Sequence, residues 1–128
     1  MLDASAAVEW LLQTAAGQRV EERVYSRNET LHAPHLLDLE VTQVLRRLAL
    51  QGVISARRGE EAVRDLLELR LTRYSHLALL PRIWQLRQNL SAYDAAYLVL
   101  AEKLGAPLMT LDAALASASG HGAKVELF

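Results

Sequence analysis

The chain has no cysteine, which removes thiolate zinc sites, disulfides and cysteine nucleophiles from consideration. No apolar run approaches the roughly 20 residues of a membrane span. The opening MLDASAAVEW also lacks the basic start and long apolar core of a signal peptide. A cytoplasmic protein with no membrane partner is therefore expected. No internal repeat, low-complexity tract or linker interrupts the chain, so residues 1–128 are expected to form a single domain. Histidine is scarce, and His32, His35, His76 and His121 do not make a ligand-spaced pair on one helix, which disfavours zinc. Net charge is close to absent as well, at -1. That sum neither favours nor excludes nucleic acid, since acidic metal ligands and a basic substrate path can cancel.

What is present is an ordinary globular balance of 52% apolar and 23% charged residues, enough to bury a core without staples. Twelve of the fourteen basic residues are arginine, the better fork for phosphate oxygens, with small clusters at Arg46–Arg47 and Arg57–Arg58. Solvated helix faces explain those clusters equally well.

Along the chain, Met1 and Leu2 form a stub of strand ending at Asp3, and Ser5 can cap a helix running to about Thr14, with Gly17 as a break. A second amphipathic helix is expected over 18–26 and a strand over 31–33. In LLDLEVTQVLRRLALQG, residues Leu37, Val41, Val44, Leu45 and Leu48 form a buried helical arc that Gly52 ends. Asp38 and Glu40 flank that arc on opposite sides, and periodicity does not choose between them. A helix over 55–69, a strand over 71–75 and a helix over 79–89, bent or begun near Pro81, come next; the last is expected to carry Trp84 and Leu86 toward the core. A short helix over 113–117 and a strand over 124–127 close the chain. Strands alternating with helices predict a three-layer α/β fold with a mainly parallel sheet, because parallel neighbours need crossovers.

The most informative stretch is SAYDAAYLVLAEKLGAPLMTLD, residues 91–112. It reads as a helix capped by Ser91, a turn at Gly105 and Pro107, and a short buried strand. Asp94 and Asp112 both have a dull explanation: Ser91 with Asp94 fits the capping-box spacing, and Asp112 can cap the helix that follows. Asp94, however, shares a stripe with Tyr97, Leu98 and Ala101 and so faces the side expected to be buried, where an unpartnered carboxylate is costly.

Four acids thus occupy similar positions: Asp3 and Asp112 at strand ends, Glu40 and Asp94 in first turns of helices. In a parallel sheet these ends lie along one edge. Carboxylates about 4 Å apart repel by about 4 kcal/mol per pair at an effective dielectric near 20, a large share of a domain's total stability of about 5 to 15 kcal/mol. A divalent cation resolves that repulsion, and all-oxygen ligands point to Mg²⁺, with Mn²⁺ as the substitute.

DASA at 3–6, HAPHLLDLEV at 32–41 and LSAYDAAYLVLAEKLGAPLMTLD at 90–112, in that order and spacing, resemble a PIN-domain ribonuclease and, more narrowly, the VapC toxins of type II toxin-antitoxin pairs. The likeness covers essentially the full length. It implies a central five-stranded parallel sheet of order 3-2-1-4-5 flanked by helices, with the acids at the strand C-terminal edge. It places the family's four acids on Asp3, Glu40 rather than Asp38, Asp94 and Asp112, as metal-binding and catalytic residues. Asp3 and Asp94 would be the primary ligands, and Ser5 and Thr110 would orient the site. The activity implied is Mg²⁺-dependent endoribonuclease cleavage of structured RNA, a transfer or ribosomal RNA loop, by metal-activated water. Only Met1 and Leu2 precede Asp3, fewer apolar residues than family members usually carry there.

The resemblance further implies a homodimer silenced by a cognate antitoxin protein seated on the N-terminal helices. Trp10, Leu11, Val20, Val24 and Tyr25 offer a receptor surface for it, and are equally well explained as core. A phosphoacceptor receiver domain has similar length and acidity, but Lys124 lacks the setting its late lysine needs. A non-catalytic PIN-like scaffold that binds protein or RNA is the remaining alternative, against which the presence of all four acids argues.

Overall fold

In the computed structural model, which describes all of residues 1–128, the centre is a helix that is apolar nearly all round. This helix, Ala92–Leu104, has every residue from 95 to 101 buried, as its composition requires. Ser91 caps its start by accepting from the Asp94 N–H at 3.1 Å, and Gly105 ends it in the left-handed conformation, φ 60°.

Numbered in chain order, the helices are α1 Ala4–Leu11, α2 Ala15–Ser26, α3 Leu36–Leu50, α4 Ala56–Glu68, α5 Leu80–Gln85, α6 Ala92–Leu104 and α7 Ala113–Ala116. The strands are β1 Leu31–Pro34, β2 Leu71–Tyr74, β3 Leu108–Thr110 and β4 Val125–Leu127. The fold is mixed α/β, and both ladders are parallel. β1 pairs with β2, Leu31 opposite Leu71, and β3 pairs with β4, Leu108 opposite Val125. These are two two-stranded sheets rather than the expected five strands in one ladder. The physical reason is where α1 begins. Asp3 caps that helix, so the extended backbone ends at Leu2, which forms a single bridge to Met109.

That short segment is nonetheless tied on both sides. Leu2 N–H donates to the His32 carbonyl at 3.0 Å, Met109 N–H to the Met1 carbonyl at 3.0 Å, and Asp3 N–H to the Met109 carbonyl at 3.2 Å. The Met1 ammonium donates to the Pro107 carbonyl at 3.0 Å. Leu2 is fully buried.

The first helix differs from expectation at both ends. Asp3, not Ser5, is its N-cap, accepting from the Ala6 N–H, and Ser5 lies inside the first turn. The helix stops at Leu11, because Gln13 takes φ 55° and Thr14 caps α2. Gly17 is therefore no break. It sits within α2 where that helix crosses α1, and a Cβ there would lie 1.9 Å from the Glu9 carbonyl oxygen, so the close approach needs glycine.

In α3 the buried face is Leu37, Val41 and Leu45, with Val44 and Leu48 partly covered. Trp84 does not enter the core. The turn Leu77–Leu79 is a 3₁₀ helix before α5; Leu79, Ile83 and Leu86 make the buried stripe, which turns Trp84 away from the core and leaves it 67% exposed under the Arg87 guanidinium, 4.7 Å from the ring centre. No helix is long and apolar enough to cross a membrane.

Candidate functional site

A cavity of about 390 Å³ opens where α1, α3, α6 and α7 begin. Asp3, Glu40, Asp94 and Asp112 all line it, together with Ser5 and Tyr97. Four segments far apart in the chain thus bring the four expected acids to one place, and no lysine, arginine or histidine lines the same cavity.

Asp3 is the most deeply set, 4% exposed. Its Oδ1 accepts from the Ala6 N–H at 2.9 Å and from the Ser5 hydroxyl at 2.7 Å, and its Oδ2 accepts from the Thr110 hydroxyl. Each hydroxyl is itself held by a backbone donor: Leu111 N–H reaches Ser5 Oγ at 2.9 Å and Asp112 N–H reaches Thr110 Oγ1 at 2.9 Å. Burial pushes the Asp3 carboxyl above the usual range, with the Asp112 charge adding to it, while the three hydrogen bonds pull the other way. Ser5 and Thr110 therefore touch Asp3 directly and hold its carboxylate.

The structure separates the two acids of α3 that periodicity left equivalent. Asp38 turns to the Arg73 guanidinium on β2, in a two-pronged pair at 2.7 and 2.9 Å. Glu40 turns the other way, into the cavity, where Oε2 accepts from the Tyr97 hydroxyl. Burial raises the Glu40 carboxyl, and the Asp94 and Asp3 charges raise it further. Asp94 is half-buried, and its carboxylate has no hydrogen-bond or ion-pair partner within the chain. Asp112 is exposed and caps α7, with Oδ1 accepting from the Ala114 and Leu115 N–H groups at 2.8 and 3.2 Å. Its other oxygen is uncommitted.

The donor set suits a hard divalent cation. It is all oxygen, formally four negative charges when ionised, with spare oxygens on Glu40, Asp94 and Asp112 and no cationic side chain among them. No three of the acids are gathered as a ligand cage. Tyr97 was not singled out by sequence reasoning as a site residue. Its signal was available: a tyrosine one turn after Asp94 on a buried stripe has a hydroxyl that must find a partner.

The receptor surface expected on the N-terminal helices divides in two. Trp10, Leu11, Val20 and Val24 are core, whereas Tyr25 is 69% exposed. Trp10, Val24 and Tyr25 nevertheless line one groove of about 860 Å³, together with Leu69 and Leu71.

Comparison with known proteins gives a consistent answer. The PIN domain family model matches residues 1–120. Ribonuclease VapC12 of Mycobacterium tuberculosis is 42% identical over 127 residues, covering 99% of this chain and 97% of that protein. Ribonuclease VapC9 of the same organism is 43% identical over 112 residues, 88% of this chain and 84% of that protein. Ribonuclease VapC1 is 39% identical over 128 residues, 99% and 96% of the two chains. A full-length match at this identity, on a fold that collects four acids in one cavity, settles the family: the chain belongs to the PIN-domain proteins, in their VapC branch.

Proposed function

We propose that the chain is an endoribonuclease, the toxin of a toxin-antitoxin pair, that hydrolyses structured RNA with the help of Mg²⁺ or Mn²⁺ in the acidic cavity. The observation that carries this reading is the meeting of Asp3, Glu40, Asp94 and Asp112 in one cavity without a basic side chain. The full-length likeness to proteins named ribonucleases supports it.

Asp3, Glu40, Asp94 and Asp112 would hold the cation, which when bound supplies acidity to an attacking water and neutralises charge on the phosphodiester. The chain's own side chains prepare that step by position. Asp3 is locked by three donors and cannot swing. Glu40 is anchored through one oxygen and offers the other. Asp112 is likewise half committed, to the N-terminus of α7. The hydroxyls of Ser5, Thr110 and Tyr97 each donate to a carboxylate, which suits positioning groups. With a metal-activated water as the attacking group, no side-chain nucleophile is required.

We extend the reading to architecture and partners. One PIN domain over residues 1–128 would carry a five-stranded sheet of order β2, β1, the 1–3 segment, β3, β4; the bonds from residues 1–3 to both His32 and Met109 favour it. That order would put Asp3 at the centre of the edge. The groove beside Trp10 and Tyr25 suits the apolar face of a cognate antitoxin. A homodimer in the cytoplasm, acting on a transfer or ribosomal RNA loop, completes the reading.

The test is cleavage of a structured RNA with Mg²⁺ and then with EDTA, for wild type and Asp94→Asn. Cutting by wild type with Mg²⁺, and loss of it both with EDTA and in the folded variant, is expected. An Asp94→Asn protein that cuts at the wild-type rate overturns the assignment.

A further inference from the structure

Glu40 carries a difficulty that Asp3 does not. Asp3 is held by its own turn and two neighbouring hydroxyls, but Glu40 reaches the cavity on a longer side chain from a partly buried position on α3, and no backbone N–H holds it. A glutamate free to sample its rotamers loses that freedom each time a cation binds. The only side chain that restrains it is Tyr97, 57 residues away in sequence.

Tyr97 is well built for the task. Its ring is 2% exposed, within the continuously buried stretch of α6, so the hydroxyl's position is set by core packing rather than by the cavity. One helical turn separates it from Asp94, so the same stretch of α6 presents one acid and holds a second. The hydroxyl has a single partner, Glu40 Oε2. Oε1 is left with no partner from the chain. A phenol is also a suitable restraint here, since it donates a hydrogen bond to a carboxylate without adding a positive charge that would compete with a cation.

Resting on the proposed metal-dependent reading, we propose that Tyr97 is a positioning residue of the cation site, fixing Glu40 through one oxygen so that the other is presented for ligation. Tyr97 does not touch the reacting atoms. Its effect passes through Glu40, which makes it the kind of outer partner whose removal lowers metal affinity by about 10–100-fold.

The experiment is Tyr97→Phe, which keeps the buried ring and removes only the hydroxyl. Binding of Mn²⁺ alone is followed by calorimetry in wild type, Tyr97→Phe, Glu40→Gln and the double variant, with thermal unfolding in EDTA recorded for each. Tyr97→Phe is expected to weaken Mn²⁺ binding about tenfold or more. In the Glu40→Gln background the same change should cost less than about twofold, because there is no carboxylate left to position. RNA cleavage by Tyr97→Phe should recover toward the wild-type rate as Mg²⁺ is raised, a response that loss of fold would not give. Unchanged Mn²⁺ affinity in Tyr97→Phe, or the full penalty persisting beside Glu40→Gln, overturns the inference while wild-type cleavage leaves the nuclease reading standing. Should Tyr97→Phe unfold in EDTA below room temperature, the role is structural and the inference also fails. If wild type itself neither binds Mn²⁺ nor cuts RNA, both readings fall together.

Discussion

Thr110→Val puts the arrangement around Asp3 to its sharpest test. Valine is nearly the same shape as threonine, and position 110 is fully buried, so the change removes a hydroxyl and little else. Two hydrogen bonds disappear. The hydroxyl no longer donates to Asp3 Oδ2, and the Asp112 N–H loses its acceptor at 2.9 Å. A bond to a charged partner contributes about 1.5–3 kcal/mol and a neutral one about 1 kcal/mol, so with some return from burying an extra methyl the net cost is about 2–3 kcal/mol. For a chain of this size that is a fall in Tm of about 10 °C.

Urea unfolding of the metal-free protein measures the cost directly. Thr110→Ser retains the hydroxyl and should lose only about 1 kcal/mol, for the missing methyl. A cycle with Asp3→Ala should return a coupling of about 1.5 kcal/mol or more, since most of the valine penalty depends on the carboxylate. With Asp3 less firmly aimed, cleavage by the valine variant should need about 10-fold more Mg²⁺. A valine variant as stable as wild type, or a penalty that stays whole beside Asp3→Ala, refutes the reasoning.

Other outcomes follow from the same geometry. Asp94→Asn removes a charge that has no partner in the chain and repels Glu40, so the variant should be more stable than wild type in EDTA by about 0.5–1 kcal/mol, and the rise in Tm that wild type shows with Mg²⁺ should shrink. Gly17→Ala pushes a methyl onto the Glu9 carbonyl oxygen and should cost about 3 kcal/mol in urea unfolding. The Arg82 guanidinium, 3.1 Å from Glu102, holds that carboxyl below its ordinary value of 4.5. Its contribution is therefore whole above pH 4.5 and is lost as pH falls through the lowered value, and Glu102→Gln should flatten the acid limb of a Tm profile. Trp84→Ala, at an exposed site, should change stability by less than about 1 kcal/mol.

Most elements were legible in the sequence because their signals are local. Ser91, Ser55 and Gly105 act as caps where their residue types predict, and α6 is buried all round as its composition demands. The misreadings have different origins. Gly17 looks like a break until α1 is laid across it, a contact at a distance, whereas Trp84 is a local misreading of the helix face, since Leu79, Ile83 and Leu86 make the buried stripe. Periodicity left Asp38 and Glu40 equivalent and the family resemblance pointed to Glu40; the contact that physically separates them is with Arg73, 35 residues from Asp38 on β2.

In this site, capping a helix does not preclude ligation. Read from sequence, an acid at a helix start invites one explanation or the other, and Asp112 was divided between them. A carboxylate has two oxygens, and here they are separated by task. Asp112 gives Oδ1 to the α7 amides and keeps Oδ2; Glu40 gives Oε2 to Tyr97 and keeps Oε1. Asp3 gives Oδ1 to α1 and Ser5, and Oδ2 to Thr110 with one lone pair remaining. A cap fixes the carboxylate plane at the cost of one oxygen, and an oxygen held in a fixed plane is a better ligand than two that wander. The local bonds that make these acids look structural are thus the same bonds that would make them effective together. Removing a cap should then weaken cation binding even where the carboxylate itself is untouched.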